Sequence, residues 1–184
     1  MFPDAPFALL ITWTCYGTWL PGDKRGYVSY TQLPGGGWRP KQNIPGTPYT
    51  RDDPLTRHQS RVLMNQTPVR ISREQALVAA ESLVEAARKR SWRILRAAIM
   101  ANHMHVVISD CTHNGPAVRR ILKGTSQAKL SDHAGKNLRW WSRGGSNRYL
   151  HSDAAILGAI RYVAEQEYKL VEIIDMQIVV CKPA

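Results

Sequence analysis

The sequence predicts an α+β fold, an antiparallel sheet with helices packed on one face. Three observations lead there. Of 184 residues, 43% are hydrophobic and 21% charged, a balance that buries a core rather than leaving the chain disordered. Apolar positions switch between the twofold spacing of strands and the 3.6-residue spacing of helices. The switches run β α β β α β, followed by one more helix and an apolar tail.

Phe7–Tyr16 is apolar, β-branched and aromatic, and stops at Gly17; it reads as a strand. Ser72-Arg-Glu-Gln75 has the form of a capping box. Ala76, Leu77, Ala80, Leu83, Val84 and Ala87 follow at helical spacing, predicting a helix to about Arg90. Trp92–Met100 and His103–Ser109 are two further strands joined by a tight Ala101-Asn102 link. Pro116 suits a first helical turn, and Val118, Ile121, Leu122 and Leu130 continue a basic helix to about His133. Leu138–Ser142 and Arg148–His151 read as short strands around Gly144-Gly145. Ser152-Asp153 caps a last helix reaching about Leu170, and Ile173–Cys181 adds a strand. The first six elements have the ferredoxin-like split βαβ order.

The whole chain, 1–184, reads as one domain interrupted by an arm. Residues 21–70 hold seven of eleven prolines and six of thirteen glycines, without sustained periodicity. They predict an irregular insertion with room for one short hairpin.

Charge narrows the partners. Lys plus Arg is 25 against 14 Asp plus Glu, a net +11. Residues 116–151 carry eight cations (Arg119, Arg120, Lys123, Lys129, Lys136, Arg139, Arg143, Arg148) against Asp132 alone. Trp140, Trp141 and Tyr149 are interleaved with them. Such a surface suits nucleic acid: cations neutralise phosphates and aromatic rings stack on bases. No apolar run is long enough for a membrane span, and the N-terminal stretch lacks the basic start of a signal peptide. Three scattered cysteines without a CxxC argue against a disulfide framework or zinc finger and fit a reducing cytoplasm.

Two constellations carry chemistry. In Asn102-His103-Met104-His105-Val106-Val107, the two imidazoles lie two residues apart on a strand, so they project from one face and can share a metal ion. In Tyr162-Val-Ala-Glu-Gln166, tyrosine and glutamine are four residues apart on the last predicted helix and share one of its faces. Either spacing alone is weak. Together they suggest a divalent ion held by His103, His105 and the Gln166 amide oxygen, polarising a phosphodiester for attack by Tyr162. Tyr16, Tyr149 and Tyr168 are rival nucleophiles, Tyr168 lying on a different helix face.

At these residues the chain resembles the single-tyrosine HUH (His–hydrophobe–His) endonucleases, specifically the REP-associated tyrosine transposases and their insertion-sequence relatives. Asn102-His-Met-His-Val-Val is similar to the family's His-x-His strand, and Tyr162-Val-Ala-Glu-Gln166 to its nucleophile helix. Leu122-Lys-Gly-Thr-Ser126 resembles its basic helix, and Trp141-Ser-Arg143-Gly the strand that follows. Thr14-Cys-Tyr16-Gly-Thr-Trp19-Leu-Pro21-Gly-Asp23 resembles the opening of a subgroup. Many REP-associated members carry Asn where this chain has Gln166, which is closer to the insertion-sequence enzymes.

The resemblance implies an HUH endonuclease fold and an enzyme dependent on Mg²⁺ or Mn²⁺. It implies cleavage and rejoining of single-stranded DNA near imperfect hairpins, through a 5′-phosphotyrosine and a free 3′-OH, in a prokaryotic, nucleoid-associated setting. It leaves monomer and homodimer both open. Arg119, Arg120, Lys123, Lys129, Arg139, Trp140, Trp141, Arg143 and Arg148 are the expected DNA contacts. The alternative is a non-catalytic or domesticated nucleic-acid-binding domain of the same fold, which would not need His103, His105, Tyr162 and Gln166 together.

Overall fold

The computed structural model describes residues 7–26, 31–32, 37–39 and 52–182. In chain order the elements are β1 (Ala8–Thr14), β2 (Thr31–Gln32), β3 (Trp38–Arg39), α1 (Pro54–Val62), α2 (Arg73–Arg88), β4 (Arg93–Met100), β5 (His103–Ser109), α3 (Gly115–Ala134), β6 (Ser146–Leu150), α4 (Asp153–Ala164), β7 (Lys169–Ile174) and β8 (Gln177–Val180). They divide into two compact units: Met1–Tyr16 with Val69–Ala184, and Gly17–Pro68.

The larger unit is built on one six-stranded sheet in the order β6-β1-β5-β4-β7-β8, with every neighbouring pair antiparallel. Its first four strands have the ferredoxin-like arrangement expected from the element order. Strand alternation sends Leu9, Ile11 and Trp13 of β1, with Met104, Val106 and Ile108 of β5, to one face. There they meet Ala76, Ala80 and Leu83 of α2 and Val118, Leu122 and Leu130 of α3 in the main core. The larger of these side chains, Leu, Ile, Val and Met, contribute roughly 1.5–3 kcal/mol each when buried this fully.

The helices start where the sequence signals placed them. Ser72 and Gln75 form the reciprocal capping box, Gln75 N donating to Ser72 Oγ (3.2 Å) and Ser72 N to Gln75 Oε1 (2.9 Å). Asn114 caps α3 through Ala117 N, and Gly135 ends it in the left-handed conformation. Ser152 caps α4 through Ala155 N.

Three details differ from the sequence expectation. Helices on one face describes α2 and α3. α4 packs on the opposite face, where Ala155, Ile156, Ala159, Ile160 and Val163 form a second, smaller core with Leu10, Ala98, Met100, Val107 and Leu150. Leu138–Ser142 is not a strand: only Trp141 forms a bridge, to Cys15. Trp140 and Trp141 are consecutive and both buried in the main core. Their indole N–H groups donate to Ser131 and Ser126 of α3, each at 3.1 Å. Finally, α4 stops at Ala164 rather than near Leu170, because Tyr168 takes a positive φ of 55° and Lys169 opens β7. The tail is a hairpin, its turn made by Asp175 and Met176 at φ 46° and 65°, the pair of left-handed residues that a two-residue hairpin loop requires.

In the smaller unit β2 pairs with β3, Gln32 opposite Trp38. It also holds a helix that the sequence reading missed, α1, capped by Asp53, which accepts from Thr56 N (3.0 Å) and Thr56 Oγ1 (2.6 Å). Gly22 sits at φ +83°, where a Cβ would come within 2.3 Å of the Asp53 carbonyl oxygen. Arg25 forks onto Asp23, holding that carboxyl down at about 2, and lies 4.7 Å from the Trp19 ring centre. The remainder of the expected 21–70 arm, residues 27–30, 33–36 and 40–51, lies outside the described residues.

Candidate metal and tyrosine site

The site lies on the α4 face of the sheet. On β5 the outward alternates to Met104 and Val106 are His103 and His105, and their register partners on β1 are Thr14 and Thr12. The two imidazoles stand edge to face, ring centres 5.0 Å apart. His105 is buried, 5% exposed, and Thr12 Oγ1 lies 2.7 Å from its Nδ1. Burial first, then the neighbouring His103, pushes the His105 imidazole down to about 4, so the neutral ring dominates at neutral pH. His103 Nδ1 is 2.8 Å from Asn102 Oδ1. An amide oxygen only accepts, so the His103 Nδ1–H donates in this bond.

α4 brings the tyrosine to the same place. Its apolar stripe seals against the sheet, and Tyr162 projects beside that stripe, 48% exposed. The Tyr162 ring meets the His105 ring edge to face at 5.2 Å between centres. Two motifs remote in sequence thus converge, and the phenol stays open to solvent on one side. Gln166 is not on the helix as expected. It follows the Glu165 cap, with its backbone N donating to Val163 O (3.4 Å) and its side-chain Nε2 to Tyr162 O (3.0 Å). That bond uses the amide nitrogen and not Oε1.

The donor chemistry fits a divalent ion at this point. Two imidazoles share one face, each with Nδ1 occupied by a neighbour that orients the ring, as metal-binding histidines require. Among the described residues no three His, Cys, Asp or Glu side chains cluster, so further ligation falls to an amide, to substrate oxygens or to water. Thr12 and Asn102 contact the two imidazoles, a placement that sequence reasoning missed. Thr12 alternates with Thr14 at the otherwise apolar end of the first strand, a polar edge whose partner the sequence does not name.

The expected DNA contacts divide into three groups. Arg120, Arg143 and Arg148 are exposed, and Arg148 shares a face of the sheet with Leu10, hence with the histidines. Lys129 is exposed 3.7 Å from Glu85, and Arg139 lies 5.5 Å from the Tyr16 ring centre. Arg119 and Lys123 instead clip the Gly-rich segment: Arg119 donates to Gly145 O (2.6 Å) and Asn147 Oδ1 (3.1 Å), and Lys123 to Ser142 O (2.6 Å) and Gly144 O (2.8 Å). Burial, with Arg119 adding to it, pushes the Lys123 ammonium down to about 8. Trp140 and Trp141, expected to stack on bases, are 2% and 4% exposed and belong to the main core. Gly145, at φ +134°, admits no side chain, since a Cβ would lie 2.5 Å from Thr12 O.

No family model and no curated protein matches the chain. Among solved structures it is similar to a REP-associated tyrosine transposase bound to a REP hairpin, at 9% identity and a TM-score of 0.46, over 86% of this chain and 65% of that one. It is also similar to a Deinococcus radiodurans protein assigned as a transposase, at 12% identity and a TM-score of 0.44, over 90% of this chain and 95% of that one. The chain therefore spans just under two thirds of the length of the first of these. At such levels it is the strand order and register above, rather than the superposition, that define the fold.

Proposed function

We propose that the chain is a metal-dependent endonuclease and strand transferase of the single-tyrosine HUH class, acting on single-stranded DNA beside hairpins. The observation that carries this reading is the packing of the Tyr162 ring on His105, 5.2 Å between centres, with the phenol still exposed. A core tyrosine would be enclosed, and a purely surface one would not touch a buried histidine.

His103, His105 and Gln166 are the residues that would hold Mg²⁺ or Mn²⁺. Bound there, the ion would supply Lewis-acid polarisation and a template for phosphate oxygens. The chain's own part is positional. Thr12 and Asn102 fix the two imidazoles. Arg143 and Arg148 offer charge for the flanking phosphates. The Tyr162 oxygen attacks phosphorus, the bond to the 3′-oxygen breaks, the phenolic proton passes to solvent, and the 3′-oxygen leaves as a hydroxyl after taking up a proton. The phosphotyrosine keeps the bond energy for rejoining when a 3′-OH attacks in reverse.

The test is incubation with a labelled single-stranded hairpin oligonucleotide and Mn²⁺, read on a denaturing gel. A protein–DNA conjugate that EDTA and Tyr162→Phe both abolish, with hairpin binding retained in the variant, supports the reading. Binding with no conjugate under any metal would leave the non-catalytic binder in its place.

A further inference from the structure

We infer that Lys169 and Glu172 form a clamp that positions the tyrosine end of α4 and the Gln166 segment; this rests on the strand-transfer reading above. Across the sheet, His105 is paired in register with Ala98, and Ala98 with Glu172, so Glu172 lies in the same row and on the same face as the histidines, two strands away. It is 7% exposed. Arg96 donates to its Oε2 at 2.8 Å, and the Lys169 ammonium is in ion-pair contact with its Oε1. Both cations are themselves largely covered, with side chains 16% and 20% exposed.

A buried ion cluster is a poor stabiliser. Desolvation costs several kcal/mol per ion, and apolar residues of similar volume often serve stability as well or better. What the cluster supplies here is direction. Lys169 has a second partner, the carbonyl of Ala164, to which its Nζ donates at 2.5 Å. Ala164 is the last residue of α4, where carbonyls lack helical partners and the helix dipole favours a cation. Lys169 therefore closes the short connection from Glu165 to Tyr168, which contains Gln166, and ties it to a carboxylate rooted in the sheet. Tyr162 lies two residues before the tied carbonyl. Glu172 acts through Lys169, so both are positioning residues.

The test uses the full chain and two readouts. Hydrogen exchange in the free protein follows backbone amides 165–168; single-turnover conjugate formation with the hairpin oligonucleotide and Mn²⁺ follows the site. Lys169→Met is expected to accelerate exchange at those amides. It is also expected to slow conjugate formation by about 10- to 100-fold, the scale of a displacement near 1 Å at a reacting group. Hairpin affinity should hold, and Lys169→Arg should restore most of the rate. Glu172→Gln should reproduce both effects. Unchanged exchange in a folded Lys169→Met protein would overturn the clamp, as would an unchanged rate. Accelerated exchange alongside a wild type that forms no conjugate would keep the clamp and reject the strand-transfer reading instead.

Discussion

The two faces of the sheet follow different rules. Under α2 and α3 the face is closed: Trp13, Leu83, Ile99, Met104 and Leu122 are buried without interruption, and even the indoles of Trp140 and Trp141 are satisfied by serines of α3. Under α4 the cover is incomplete. One short helix seals Ala98, Val107 and Leu150, while the same face carries Thr12, Thr14, His103, His105 and Glu172. The first face holds most of the buried apolar side chains. The second holds polar groups at fixed spacing on strands whose backs are clamped by the first. A rigid scaffold under a partly open polar row is what a site with precise ligand geometry needs.

This contrast is open to direct attack. Leu122→Ala on the closed face should cost about 3 kcal/mol in denaturant unfolding, because the cavity cannot fill. On α4 the outward-facing Leu157→Ala should stay within about 0.5 kcal/mol, since Leu157 is 62% exposed. A loss at Leu157 equal to that at Leu122 would mean that the outer side of α4 is also packed. On the open face, Thr12→Val keeps the strand shape and removes the hydrogen bond to His105 Nδ1. Mn²⁺ affinity, read by paramagnetic resonance, should fall roughly 10- to 100-fold with little change in stability. An unaltered affinity would remove Thr12 from the site. The smallest effect concerns the cations: Arg120→Ala should lower the slope of log affinity against log salt by about one. Lys123→Met should show its effect in stability instead, through the carbonyls of Ser142 and Gly144 that lose their donor.

The sheet and the starts of its principal helices were legible because their signals are local. The Ser72–Gln75 box, Ser152 and the alternating strands each act within a few residues. The end of α4 was not, since Lys169–Ile174 continues an apolar run that fits a helix as well as a strand, and only the left-handed turn at Tyr168 separates them. α1 escaped because it lies in a proline-rich stretch and leaves Leu55 and Val62 exposed, so it carries no buried stripe. In the site, His103, His105 and Tyr162 were legible from spacing, whereas Thr12 depends on the pairing of β1 with β5, which no local pattern encodes. Trp140 and Trp141 misled because a basic neighbourhood suggests stacking surfaces. Ser126 and Ser131, one and a half turns apart on the basic helix, were the partners that bury them.

The central claim is that one phenol, Tyr162, becomes covalently joined to DNA over the histidine pair. Proteolysis of the conjugate followed by mass spectrometry of the nucleotide-bearing peptide tests it most directly. The account predicts a 5′-phosphonucleotide on the peptide containing Tyr162. The same mass on a peptide carrying Tyr16, Tyr149 or Tyr168 would contradict it.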